Sequence, residues 1–329
     1  FIVGCVGTGV VATVALGIPT SAMAFLVIYV ISSVALNSSM VFYDALLVDA
    51  TTDDRMDEVS SQGYAWGYIG SCVPFIACLL IVLNYDKLGL GLQTAMQIAF
   101  AITAAWWLVF TIPMLKDVEQ KHFKPRESGA IAKAIGGIGG TLKEMWTNKA
   151  IKFYMIAYFF YIDGVHTIIK LSTSYGTDLG IDATQLVLAL LVTQFVAFPS
   201  AIIYGRLSSK YGTRRMLLIA IAAYFGITLF AALFLRTATE FWVLAILVGM
   251  FQGGIQALSR SEFGKLCPKE RANEYFGFFD IFGKYAAILG TFLVGTFTAI
   301  SGNSSLGVMS IAILFVVGFV MMLKVPERE

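Results

Sequence analysis

Residues 216–235 read Met216-Leu217-Leu218-Ile219-Ala220-Ile221-Ala222-Ala223-Tyr224-Phe225-Gly226-Ile227-Thr228-Leu229-Phe230-Ala231-Ala232-Leu233-Phe234-Leu235, twenty positions without a charge, bracketed by Arg214 and Arg215 before and Arg236 after. About 20 apolar residues in helical conformation cross the hydrocarbon core of a bilayer. The pattern recurs near 1–18, 22–48, 62–83, 91–115, 150–171, 183–204, 240–263, 274–300 and 305–323, giving about ten expected spans in all. Composition agrees, since 58% of the 329 residues are hydrophobic, only 13% are charged, and mean hydropathy is +0.78. Soluble domains carry about 25% charged residues. The chain is expected to be an all-α polytopic membrane protein with the lipid bilayer as a partner.

The net charge of +2 makes no case for nucleic-acid binding. The charge is unevenly placed, and Lys and Arg concentrate on the cytoplasmic side of membrane proteins. One set of loops holds Arg55, Lys116, Lys121, Lys124, Arg126, Lys133, Lys143, Lys149, Arg206, Lys210, Arg214, Arg215, Lys265, Lys269, Arg271, Lys324 and Arg328, against Lys87 and Arg236 in the other. Segments 49–61, 116–149, 205–215, 264–273 and the C-terminus are therefore expected to be cytoplasmic, in a bacterial inner membrane. Cys5, Cys72, Cys78 and Cys267 have neither CxxC nor Cys/His spacing. They predict helix packing, with no disulfide framework, metal site or cofactor.

Residues 116–149 form the only long polar stretch, with Pro125 and glycines at 136, 137, 139 and 140. They divide the chain into a helical region (residues 1–115), a linker (116–149) and a six-helix region (150–329). The first span begins at Phe1 without an initiator Met, so a symmetric protein would need two further helices ahead of it. An internal echo favours such symmetry. Asp54-Arg55-Met56-Asp57-Glu58 and Glu270-Arg271-Ala272-Asn273-Glu274 both read acidic-Arg-x-x-Glu before a span, and Gly67 and Gly283 follow at matching offsets. Parallel six-helix repeats build one large class of secondary transporters.

The loop Gly205-Arg206-Leu207-Ser208-Ser209-Lys210-Tyr211-Gly212-Thr213-Arg214-Arg215 resembles the G-x-L-A-D-R-x-G-R-R signature of the major facilitator superfamily. Ser209 replaces the family's Asp, which puts a charge-relay role in doubt. Gly205, Gly212, Arg214 and Arg215 are read as gating or structural positions. Tyr161-Ile162-Asp163-Gly164-Val165-His166-Thr167-Ile168-Ile169-Lys170 is similar to the seventh-helix signature of the vacuole-effluxer-like branch. Ser60-Ser61-Gln62-Gly63-Tyr64-Ala65-Trp66-Gly67-Tyr68 resembles its fifth helix, Gln256–Ser261 its tenth, and Tyr275–Lys284 its eleventh. The resemblance implies a major facilitator fold with ten of twelve transmembrane helices present, in two pseudo-repeated halves. It also implies solute transport, with amino-acid export from the vacuole in fungal relatives.

Ionisable groups inside spans are costly and usually face a bundle interior or a wet cavity. At 100° per residue, Asp163, His166, Thr167 and Lys170 share an arc of about 100° on a helix. An acid, a base and a hydroxyl on one stripe suit a proton or the charged ends of a solute; a self-neutralising Asp–Lys pair is the plainer alternative. Asn37 on an earlier helix, and Gln252 with Gln256 on a later one, lie on the other helices expected to line a central cavity. Asp280 and Lys284 stand at i, i+4 and predict an ion pair that locks packing. Arg260 is left open between a gate and a solvated anchor. The acids Asp49, Asp53, Asp54, Asp57 and Glu58 are expected to be solvated at the membrane face, and residues 129–146 to be an interfacial amphipathic helix.

The expected function is secondary active transport of a small solute by alternating access. No GxxxxGK[ST] loop is present, so a proton gradient is the natural driver, with Asp163 and His166 as carriers. The protein is expected to be a monomer. A solute-sensing transceptor and an intramembrane lipid-modifying enzyme are the alternatives. The second would need a nucleophile with a base, or HExxH, and the only histidines, His122 and His166, sit in neither pattern.

Overall fold

The computed structural model of the protein describes residues 1–18, 21–122, 130–178 and 180–326. Lys124, Pro125, Arg126 and Arg328 lie outside the described residues. All regular structure described is helical: α1 (Ile2–Ala15), α2 (Ala22–Ala45), α3 (Leu47–Ala50), α4 (Met56–Leu83), α5 (Leu92–Asp117), α6 (Ala130–Thr147) and α7 (Lys149–Asp178). There follow α8 (Ala183–Tyr211), α9 (Thr213–Phe234), α10 (Ala238–Leu266), a 3₁₀ turn at Lys269–Arg271, α11 (Ala272–Tyr285), α12 (Ile288–Ser301), α13 (Ser304–Ser310) and α14 (Ala312–Leu323).

Among the described residues, eight helical segments are long and apolar enough to cross a membrane. The first helix is apolar but shorter. With 30 residues, α7 extends about 45 Å at 1.5 Å per residue, and its ionisable stripe is what lowers its hydropathy. Two expected spans are interrupted. The span read as 274–300 is α11 and α12 separated at Ala286–Ala287, and 305–323 is α13 and α14 meeting at Ile311.

The chain forms two compact units. Unit 1 comprises Phe1–Ala50 and Ile69–His122. In it α1 packs on α2 and α5, Gly9 lies beneath the Trp107 ring, and Gln97 donates to the Gly17 carbonyl at 2.8 Å. Asp49 is buried and not solvated as expected. Its Oδ1 accepts from the backbone N–H groups of Lys121 (3.1 Å) and His122 (2.9 Å) and lies 2.7 Å from His122 Nδ1.

Unit 2 comprises Thr51–Tyr68 and Phe123–Glu329. Its interior joins α7, α10 and α11 through stacked rings: Tyr158 on Phe279 (centroids 4.1 Å), Phe279 on Phe263 (4.7 Å) and Phe263 edge-on to Phe276 (5.1 Å). Between membrane helices such packing replaces the hydrophobic drive, because lipid is as apolar as the side chains. The stretch 205–215, expected as a loop, is helical up to Tyr211 and again from Thr213; Gly212 alone, with φ +90°, makes the turn that joins α8 to α9. Arg214 donates from Nη2 to the Leu323 carbonyl (2.6 Å) and from Nε to the Met322 carbonyl (3.3 Å), so it caps the end of α14. Arg215 is exposed. At Gly205 a Cβ would come within 2.6 Å of Ser61 Cβ, which is how closely α8 approaches the start of α4.

The start of α4 is fixed into unit 2 by a buried charge. Asp57, 4% exposed, pairs with Lys265 Nζ at 2.6 Å. Its carboxylate also accepts from Ser261 Oγ (2.6 Å) and Thr213 Oγ1 (2.6 Å). The sequence predicts solvation for this acid, and the structure overturns it: a cation and two hydroxyls from α9 and α10 replace water. Nearby, α6 is held at Glu144, which receives Tyr275 Oη (2.9 Å) and pairs with Arg271.

Removing one partner of a buried pair leaves an uncompensated charge, costing roughly 3–5 kcal/mol. Asp57→Ala is expected to lower stability by about that amount, read as a drop in thermal midpoint in detergent. Asp57→Leu combined with Lys265→Met should recover most of it. A single variant as stable as the parent would show that the pair does not hold α4.

The hydrogen bonds from Arg271 and Tyr275 hold the Glu144 carboxyl below its ordinary 4.5. A depressed carboxylate contributes stability that is present above its unfolded pKa and lost as pH falls through the folded one. The contact of Trp146 with Phe282 should therefore persist through neutral pH and loosen only below the ordinary glutamate range. Fluorescence of Trp146 kept as sole tryptophan reads this, and Glu144→Gln should give the acid signal at neutral pH.

Candidate functional site

A helix that stops inside a membrane leaves carbonyls unpaired on one side of the gap and N–H groups unpaired on the other. The gap between α11 and α12 has this problem, and α7 supplies the partners. Asp163, 0% exposed, accepts from Gly290 N–H at 2.6 Å through Oδ1 and from Leu289 N–H at 3.2 Å through Oδ2. The carboxylate thus sits on the N-terminus of α12, where the helix dipole favours negative charge. Thr167, one turn on, donates to the same carboxylate at 3.3 Å. On the other side, His166 Nδ1 donates to the Gly283 carbonyl at 3.2 Å, in the last turn of α11. That bond places the proton on Nδ1.

The gap has its own geometry. Ala287 takes φ +82°, the left-handed region, without being glycine. Such a residue costs about 1–2 kcal/mol and persists only where surroundings hold it. Gly290 allows the close approach of α7, since a Cβ there would collide with Thr167 Oγ1 and lie 2.6 Å from Asp163 Oδ1.

Asp163, His166 and Thr167 therefore converge on one feature. Lys170, on the same arc, is exposed. Asp280 and Lys284 form their i, i+4 ion pair on α11.

A second polar group centres on α10. Gln256 Oε1 accepts from Tyr68 Oη at 2.7 Å, and Gln252 also hydrogen-bonds Tyr68. Tyr224, on α9, is fully buried with no hydrogen-bond partner for its hydroxyl among the described residues. One turn along α10, Ser259 accepts Tyr154 Oη on its carbonyl (2.6 Å) and lies 2.7 Å from Tyr161 Oη. Arg260, 4% exposed, is a buried residue and no solvated anchor. It donates from Nε to Ser60 Oγ (3.0 Å) and from Nη2 to the Ser60 carbonyl (3.2 Å), with its guanidinium 4.8 Å over the Tyr64 ring. Asn37 belongs to unit 1, where it is exposed and donates to the Ser33 carbonyl at 2.7 Å.

Sequence reasoning missed Tyr68, Tyr224 and Ser60 as site neighbours, and Asp57 and Lys265 as a buried pair. For Tyr224 the signal was available: a tyrosine in mid-span carries a hydroxyl that burial obliges to find a partner.

The family model described as "Vacuole effluxer Atg22 like" matches residues 47–329. An uncharacterised major-facilitator-type transporter of Bacillus subtilis (strain 168), YxiO, is 45% identical over 305 residues, covering 92% of this chain and 71% of that protein. Autophagy-related protein 22 of Kluyveromyces lactis is 25% identical over 270 residues, 75% of this chain; the chain spans 53% of that fungal relative. Among solved structures, the fold is similar to the major facilitator FucP in its outward conformation, with TM-score 0.72 at 13% identity, covering 99% of this chain and 83% of that one. It is also similar to the proton:xylose symporter XylE, with TM-score 0.73 at 9% identity, covering 99% and 79%. With the fold, the apolar spans and the family match in agreement, this chain is an integral membrane protein of the major facilitator type and belongs to the vacuole-effluxer Atg22-like family.

Proposed function

We propose that the protein is a proton-coupled secondary transporter that moves a small solute, amino acids being the first class to test, by alternating access. The observation that carries this reading is Asp163: a carboxylate at 0% exposure, halfway along a helix of a membrane transporter, held by N–H and O–H groups alone. A group of that kind can exist charged or protonated, which makes it a natural proton carrier. Two structural relatives, XylE and FucP, are described as proton symporters, of xylose and fucose. The amide and tyrosine group on α10, α4 and α9 supports a solute with hydrogen-bonding ends, and Asp163 with His166 lies on the neighbouring helix α7. The basic loops 205–215 and 264–273 favour the cytoplasm of a bacterial inner membrane for that side under the positive-inside rule. The working unit is taken as a monomer.

The test is accumulation of labelled amino acids, peptides and sugars in proteoliposomes, with and without a pH gradient. Asp163→Asn is expected to abolish gradient-driven accumulation while the protein still elutes as a folded species. Accumulation unchanged in that variant would remove Asp163 from the mechanism, and failure of every solute would count against transport.

A further inference from the structure

We propose that the interruption between α11 and α12 is a moving joint of the transport cycle, and that Asp163 is the latch which a proton releases. This rests on the proton-coupled reading above and deepens it by naming what the proton moves.

Three observations carry the inference. The expected span 274–300 is broken at Ala286–Ala287, where neither glycine nor proline forces a break; a non-glycine residue adopts φ +82° instead. Both faces of the break are bound by one neighbouring helix: Asp163 takes the N–H groups of Leu289 and Gly290, and His166 gives its Nδ1–H to Gly283. Finally, no cation among the described residues pairs with Asp163; its charge is balanced by N–H dipoles and one hydroxyl. That balance disappears when the charge does. A proton from solution bonds to one carboxylate oxygen, the group becomes neutral, and attraction to the N-terminus of α12 is lost. The N–H groups then regain partners most cheaply if Ala287 relaxes to right-handed backbone and α11 runs on into α12. Loss of the proton restores the carboxylate and the joint.

Among the described residues, the titratable groups on the helices around Asp163 include Tyr158, Tyr161, His166 and Lys170 on α7; the Asp280–Lys284 pair and Tyr285, beside the break, on α11; Arg260 and Glu262 on α10; and Tyr224 on α9, which stacks on Phe315 beside Gly164. Helices α12, α13 and α14 bring none. His166 is the competing candidate, so the experiment separates it from Asp163.

Spin labels at Gly277→Cys on α11 and Ile300→Cys on α12 straddle the joint, in full-length protein whose Cys5, Cys72, Cys78 and Cys267 are alanine, reconstituted in nanodiscs without solute. Double electron–electron resonance then reports the distance distribution. Moving from about pH 8 to about pH 5, the parent is expected to shift by about 3 Å, two residues of helical rise. Asp163→Asn should show the acid distribution at both pH values, whereas His166→Gln should keep the pH response. A parent distribution that ignores pH overturns the proposal. So does a pH response that survives in Asp163→Asn or vanishes in His166→Gln while Asp163 is intact. Should Asp163→Asn fail to fold, Gly290→Ala, which wedges a methyl between α7 and α12, is expected to give the acid distribution at about pH 8; the alkaline distribution there would also overturn it. Labelled-solute uptake is measured separately, so a rigid joint in a protein that still accumulates solute refutes the latch and leaves the transport reading standing.

Discussion

Backbone groups in lipid have no water to turn to, and every structural decision in this protein works within that constraint. A continuous helix meets it without help. Where a helix stops inside the bundle, the backbone of the next turn or a side chain from a neighbour must finish the job. Asp163 and His166 do so at the α11–α12 gap, one acting as acceptor for N–H groups and the other as donor to a carbonyl. Arg214 adds side-chain donors at the end of α14, to the Met322 and Leu323 carbonyls. The candidate functional groups Asp163 and His166 are thus also capping groups.

The family motifs take on a different meaning under this constraint. The seventh-helix stripe reads in sequence as three ionisable groups facing a cavity. In three dimensions Asp163, Thr167 and His166 address one stretch of a neighbouring span, and Gly290 is small because Thr167 and Asp163 come so near. The motif and the gap are two sides of one contact. Tyr154 and Tyr161, on the same helix, extend the idea toward α10 by binding Ser259. Helix α7 therefore joins the interrupted span to the amide-bearing helix, and a change at one has a direct material route to the other.

What was legible in sequence follows from what is local. Span positions come from runs of apolar residues, and the Asp280–Lys284 pair from a four-residue spacing; neither needs a partner elsewhere. The break at Ala286–Ala287 was not legible, because Tyr285-Ala286-Ala287-Ile288 contains no helix breaker and the acid that binds the N–H groups beyond it, Asp163, lies over a hundred residues earlier. Asp57 is misleading in sequence for the same reason. Five acids in ten residues resemble a solvated loop, and only the fold shows Lys265, Ser261 and Thr213 gathered around one of them. Arg260 could be read either way until Ser60 and Tyr64 enclosed it.

Asp57 and Asp163 show what separates a structural buried acid from one that can work. Both are carboxylates withdrawn from solvent, and both accept several hydrogen bonds. Asp57 has a lysine at 2.6 Å, and removing either partner would leave the other's charge uncompensated. Asp163 faces only N–H and O–H dipoles, which remain uncharged when it is neutralised. The first arrangement, an ion pair with two further hydroxyl donors, suits a fixed anchor. In the proposed latch, the second lets one proton alter the strength of a helix cap, and with it the backbone of the helix that is capped. Burial alone does not distinguish them; the charge of the partner does.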